Sequence, residues 1–105
     1  SYYSKEKLVP DNSDFSVPYD MVIPIQNIGR NGRLYTIIAQ YTHRGSHYSY
    51  LQAVVRTGEN AYGVIGTPTK IDNTSDLSIT EVTSDHITIS LTYKYAGYFT
   101  VTLIG

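Results

Sequence analysis

The chain contains no cysteine and no tryptophan, and only two phenylalanines. Without a thiol there is no disulfide framework, no cysteine nucleophile and no thiolate-ligated zinc. The absence leaves the compartment open, since cytosol, virion and cell exterior all accommodate such a chain. Charge is equally sparse: eight Lys and Arg against nine Asp and Glu give a formal charge of -1, with the basic residues scattered singly. No basic patch follows a phosphate backbone or an anionic bilayer, so nucleic-acid partners are not expected. No apolar run approaches the ~20 residues of a membrane span, so membrane insertion is not expected. The opening Ser1-Tyr2-Tyr3-Ser4 lacks the basic-then-apolar layout of a signal peptide. It also lacks an initiator methionine, and the sequence reads as a piece cut from a longer chain. Val101 to Gly105 runs straight out of a strand, in the manner of a natural C-terminus.

What is abundant is tyrosine, 11 of the 105 residues. A chain of this length makes one domain with one core. With so few phenylalanines, most of its aromatic area carries a hydroxyl and suits half-wet surfaces. Tyrosine gives large contact area for little rotamer entropy, which is why binding surfaces favour it together with Ser, Gly and Asn. Tyr and Thr are also ordinary strand formers, so the plainer reading makes most of these residues part of a sheet.

The hydrophobic pattern supports that reading. Residues 1–19 hold Pro10 and Pro18, show no sustained period and read as an N-terminal arm or linker; residues 20–105 form the domain. Met21 to Ile28 is a short strand demoted to an edge or a bulge by Pro24. Asn31-Gly32 is the strongest hairpin dipeptide in the chain. Leu34 to His43 and His47 to Thr57 are partner strands about the corner Arg44-Gly45-Ser46. Tyr62 to Ile65 is a short strand ended by Gly66 and Pro68, and Asp72 to Asp76 is a turn. Leu77 to Val82, Asp85 to Tyr95 and Tyr98 to Ile104 alternate strongly. Ile87, Ile89, Leu91 and Tyr93 share one face and Thr88, Ser90 and Thr92 the other. No helical periodicity occurs, so the expected fold is all-β: an antiparallel β-sandwich of six to eight strands, jelly-roll-like or immunoglobulin-like. One strand is apolar on both sides, with Leu34 and Ile38 opposite Tyr35, Ile37, Ala39 and Tyr41, and Val54 beside Val55 makes the same demand. The arm or a neighbouring subunit is expected to cover the second face.

Catalytic chemistry finds little purchase. No G-x-S-x-G elbow presents a serine, and Glu59 and Glu81 sit where solvated charge is the ordinary expectation. The glycines of "GRNGR" and "YGVIGT" lack the strand-to-helix context of a phosphate loop. Asp11 to Asp14 and Asp72 to Asp76 have the composition of a cation loop without its oxygen spacing. Asn73-Thr74-Ser75 is a glycosylation sequon, meaningful only on a eukaryotic secretory route. His43 and His47 flank a hairpin corner, but zinc needs a third protein ligand and His86 lies in another turn. No catalytic residue, metal or cofactor is expected, although a symmetric trimer would bring together histidines from three subunits.

The closing "ITEVTSDHITISLTYKYAGYFTVTLIG" and the tyrosine-rich "GRLYTIIAQYTHRGSHYSYLQAVVRTG" resemble the C-terminal head domains of bacteriophage tail-fibre and baseplate receptor-binding proteins. The likeness covers roughly Gly32 to Gly105 and is one of texture, with no diagnostic motif and no His-x-His metal pattern. It implies a compact β-sandwich, usually a homotrimer, that caps a shaft on the virion and binds a host-surface glycan or protein without enzymatic activity. A carbohydrate-binding or adhesion module of a secreted or cell-surface bacterial protein is the alternative. Binding a sugar takes an aromatic platform beside planar polar groups. The residues with that chemistry near strand ends are Arg44, His47, Tyr48 and Tyr50 at the first corner, Asn60 and Tyr62 in the next loop, and Tyr95 and Tyr98 around "YAG".

Overall fold

The computed structural model describes residues 2–14, 17–25, 33–58 and 60–105. Eight strands follow in chain order: β1 (Tyr2–Val9), β2 (Tyr19–Pro24), β3 (Arg33–His43), β4 (His47–Thr57), β5 (Gly63–Asp72), β6 (Leu77–Val82), β7 (His86–Leu91) and β8 (Gly97–Ile104). They form two antiparallel sheets, ordered β1-β8-β3-β4-β5 and β2-β7-β6, and there is no helix among the described residues. The fold is an antiparallel β-sandwich. Pairing β1 with β8 and β2 with β7 nests first with last, as in a jelly roll. Inside that nest, β8-β3-β4-β5 is a Greek key, three hairpin-linked strands with the fourth returning beside the first.

The alternating residues meet between the sheets because a period of two puts every second side chain on one face. Tyr35, Ile37, Ala39 and Tyr41 of β3, Leu51, Ala53 and Val55 of β4, and Phe99, Val101 and Leu103 of β8 are buried there. Ile87, Ile89 and Leu91 of β7 oppose them, with Met21 and Ile23 of β2 and Leu77 of β6. Thr88 and Ser90 lie on the other face of β7 and are nevertheless buried. Ser90 donates to Asp20 Oδ1 at 2.5 Å and shares a hydrogen bond with the Thr80 hydroxyl at 2.9 Å, so flanking polar side chains cover the central strand.

Four sequence expectations need correction. The segment read as an arm supplies β1, whose residues pair in register with β8 from Tyr2↔Ile104 to Val9↔Gly97. Its period was hidden because Lys5 and Lys7 stand opposite Val101 and Phe99, on the core-facing side of an edge strand. The strand expected to end at Ile65 runs on to Asp72. Gly66, at φ +73°, and Pro68 lie where the register against β4 shifts, so they make a bulge on an edge rather than an end. Conversely β7 stops at Leu91, because the Thr92 N–H turns away to the Asp76 carbonyl at 2.7 Å. The fourth correction is confined to the arm as the cover for the second face of β3. With β1 lying beside β8, no described segment covers that face: Leu34, Val54, Ile65 and Ile104 are all exposed. Asn31-Gly32, Glu59 and the end of the Met21–Ile28 run fall outside the described residues.

The β3–β4 corner forms as expected. Arg44 and Gly45 take φ +50° and +66°, and the Ser46 N–H closes the turn on the His43 carbonyl at 3.0 Å. Positive φ at both central residues matches the right-handed twist of the flanking strands.

Candidate functional site

Register on the larger sheet's outer face brings together side chains far apart in sequence. One cross-strand row reads Leu8, Tyr98, Thr42, Tyr48, and the next reads Glu6, Thr100, Gln40, Tyr50, Ile71, each from successive strands. Between them lies a depression of about 350 Å³ lined by Tyr48, Tyr50 and Tyr98 together with Glu6, Gln40, Thr42 and Thr100. The Tyr48 and Tyr50 rings are almost parallel, 6° apart in plane with centroids 6.3 Å apart, because residues i and i+2 of a strand project side by side. Tyr48 is further fixed by donating its hydroxyl to the Gly45 carbonyl at 2.7 Å, which ties the platform to the hairpin corner. Thr100 donates to Glu6 Oε1 at 3.2 Å. Tyr98, on β8, is 52% exposed and Tyr48 40%, so both rings offer faces to solvent. Among the described residues Glu6 is the one carboxylate of the lining, and no Lys, Arg or His takes part in it.

The other candidate residues lie elsewhere. His47 is next to Tyr48 in sequence and therefore points to the opposite face. There it stacks on Tyr93, with centroids 3.9 Å apart and planes 15° apart, and donates Nε2–H to Asp76 Oδ2 at 2.6 Å. Tyr95 stacks on His43, with the Lys94 ammonium 4.9 Å from its ring centroid. Arg44 occupies the corner without lining the depression, and Asn60 and Tyr62 belong to the β4–β5 loop at the far end of the sheet. Sequence reasoning thus gathered Tyr48, Tyr50 and Tyr98 and missed Glu6, Gln40, Thr42 and Thr100. Gln40 and Thr42 carried a usable signal, since pairing about the 44–46 corner sets them opposite Tyr50 and Tyr48.

The His47 cluster holds Ser, His and Asp side chains but not in a nucleophile's arrangement. Fully buried Ser49 gives its hydroxyl hydrogen to the same Asp76 Oδ2 at 2.6 Å, so the carboxylate rather than an imidazole holds the serine. Tyr41 closes the cluster from below, edge-on to both His47 and Tyr93, and donates its hydroxyl to the Tyr95 carbonyl. Burial, and then the neighbouring Tyr93, Asp76 and Asp11, push its phenol up to about 12. Beside it a second depression of about 290 Å³ is lined by Ser75, Asp76, Thr92, Tyr93 and Lys94.

His86, at the β6–β7 turn, lies with Nε2 2.6 Å from Glu81 Oε1 and Nδ1 2.7 Å from Asp85 Oδ1. Hydrogen bonds to Glu81 first and Asp85 second raise its pKa, while bonds from Thr83 and then His86 lower that of Asp85. No group of three or more His, Asp or Glu side chains is placed to hold a metal ion among the described residues. No protein-family model matches the chain, and no curated protein or solved structure does.

Proposed function

We propose that this domain is a non-enzymatic attachment domain that holds a saccharide of a cell-surface receptor on the Tyr48–Tyr50–Tyr98 face. The observation that carries the reading is the joint placement of three accessible phenol rings with an amide, hydroxyls and a carboxylate on one rigid sheet. A pyranose ring presents an apolar C–H face that packs on an aromatic platform, while its equatorial hydroxyls need planar acceptors and donors beside it. Gln40 supplies both, Glu6 accepts, and Thr100, whose hydrogen goes to Glu6, accepts. Building the site on strands rather than loops keeps those groups in place before the ligand arrives, which lowers the ordering cost of binding.

The setting we favour is the tip of a viral tail fibre, with the domain as a homotrimer. The uncovered apolar band of Ile104, Val54 and Ile65, with Leu34 beside it, supports a subunit contact at the end of the face away from the tyrosines. A carbohydrate-binding module of a secreted bacterial protein would use the same tyrosine face as a monomer. Light scattering at micromolar concentration separates the two settings, a trimer being expected and a monomer transferring the reading to the module. For the site itself, glycan-array binding is compared with that of Tyr48→Ala and Tyr98→Ala. Each truncation is expected to weaken binding by about tenfold, roughly the 1–2 kcal/mol of a buried aromatic contact, with the circular dichroism spectrum unchanged. Unchanged affinity in both variants, or no glycan bound at all, refutes the site.

A further inference from the structure

Resting on that reading, we infer that the face takes an internal stretch of a neutral, extended saccharide chain lying across the strands, and discriminates against acidic glycans. Two observations carry the inference, one of shape and one of charge.

The two site rows run perpendicular to the strands, from Glu6 and Leu8 on β1 through β8 and β3 to Tyr48 and Tyr50 on β4. Neighbouring strands lie about 4.8 Å apart, comparable with the repeat of an extended pyranose chain, so four strands span about three sugar residues. Tyr98 and Tyr48 stand two strands apart with Thr42 between them, a spacing that meets alternate rings of such a chain. The track is open at both ends: Leu8 beyond Tyr98 is 67% exposed, and Ile71 beyond Tyr50 is 55% exposed. A pocket built for a terminal sugar closes around the chain end; a track open at both edges lets the chain continue past it.

Charge sets the class. Glu6 puts one negative group in the lining, and among the described residues no cation stands there to neutralise a ligand carboxylate or sulfate. Lys5 and Lys7, its neighbours on β1, stand opposite core-facing residues and so point to the other side of the sheet. Sialic, uronic or sulfated sugars on the track would face a like charge within a few ångströms, without the bidentate Arg that such groups ordinarily recruit.

Calorimetry with neutral cello-, manno-, chito- and galacto-oligosaccharides of graded length, against oligogalacturonate and sialyllactose, tests both halves. For the neutral series that binds, affinity is expected to rise about tenfold from mono- to trisaccharide and then level off. The acidic probes are expected to bind at least about fivefold more weakly, with the gap closing in Glu6→Gln and at high salt. Preferential binding of sialyllactose, or an affinity already complete with a monosaccharide, overturns the inference while leaving the tyrosine site standing. A neutral-to-acidic ratio unchanged in Glu6→Gln overturns the charge half. Failure of every probe to bind overturns the inference together with the site.

Discussion

Tyr41→Phe removes one oxygen from the buried end of the sandwich and makes a quantitative statement about alkaline stability. The hydroxyl is buried and its hydrogen goes to the Tyr95 carbonyl, so the substitution deletes a hydrogen bond and leaves that carbonyl without its partner. At neutral pH the expected cost is about 1–2 kcal/mol. The phenol is also held up from 10.0 to about 12, first by burial and then by Tyr93, Asp76 and Asp11. A group that binds its proton more tightly in the folded state contributes stability that is fully present below the unfolded pKa. That contribution is lost as pH rises through the folded pKa. The window here runs from 10.0 to about 12. Two units correspond to roughly 3 kcal/mol across the window, about half of it gone by pH 11. Phenylalanine has no proton to lose, so wild type and variant are expected to converge near about pH 11 and to exchange order above it. Urea unfolding midpoints measured at intervals from neutral to strongly alkaline pH give both curves. The near-ultraviolet tyrosinate absorbance should contain a late component in wild type that the variant lacks. Parallel stability curves, or a late component that survives the substitution, would refute the burial argument.

His86 should titrate above 6.5 in the nuclear magnetic resonance spectrum, and Glu81→Gln should bring its midpoint down. Because its folded pKa is raised, its contribution to stability is present below 6.5 and fades as pH rises through the folded value; that of Asp85, whose pKa is lowered, is present above 3.8 and fades in acid. A midpoint at or below 6.5, or one indifferent to the substitution, contradicts the bonded geometry. Gly97→Ala should destabilise by about 3 kcal/mol, at the upper end for overpacking. Its new Cβ would lie 2.3 Å from the Thr42 carbonyl oxygen and 2.8 Å from the Tyr41 ring, and a backbone atom has no rotamer to escape into. Denaturant unfolding of Gly97→Ala, Tyr41→Phe and the double variant should show sub-additive losses; full additivity would mean that the two sites do not share this contact.

Much of the sheet pattern was legible because it is local. Alternation alone located β3, β4, β6 and β8 to within a residue or so, and put Ile87, Ile89 and Leu91 on one shared face, which is buried. Where it misled, a competing feature overrode it. Gly66 and Pro68 look like terminators, yet on an edge strand the missing N–H and the bulge cost little, and β5 continues through both. Tyr93 continues the period of β7, but the backbone at Thr92 bonds to Asp76 instead of extending the ladder. The site divides the same way. Tyr48 and Tyr50 were visible as neighbours on one strand face, and the period of two also separates His47 from them. Glu6, Tyr98 and Thr100 join them only because β8 inserts between β1 and β3, a pairing across most of the chain that no local pattern announces.

That insertion has a consequence for how the domain comes to be made. β8 follows the other seven described strands in chain order, yet both of its edges are occupied, by β1 on one side and β3 on the other. Until it arrives β1 has no ladder partner among the described strands, β3 carries an open edge flanked by Leu34 and Ile38 on its outer face, and the space for Phe99 and Val101 stands empty between the sheets. The Ser4 and Thr102 hydroxyls that meet at 3.0 Å come from residues 98 positions apart, a closure whose entropy must be met before any of its contacts form. Closure of the sandwich therefore waits on β8. A nascent chain held short of Gly97 displays the unpaired strand edge that draws chains together, and its yield depends on how quickly β8 follows.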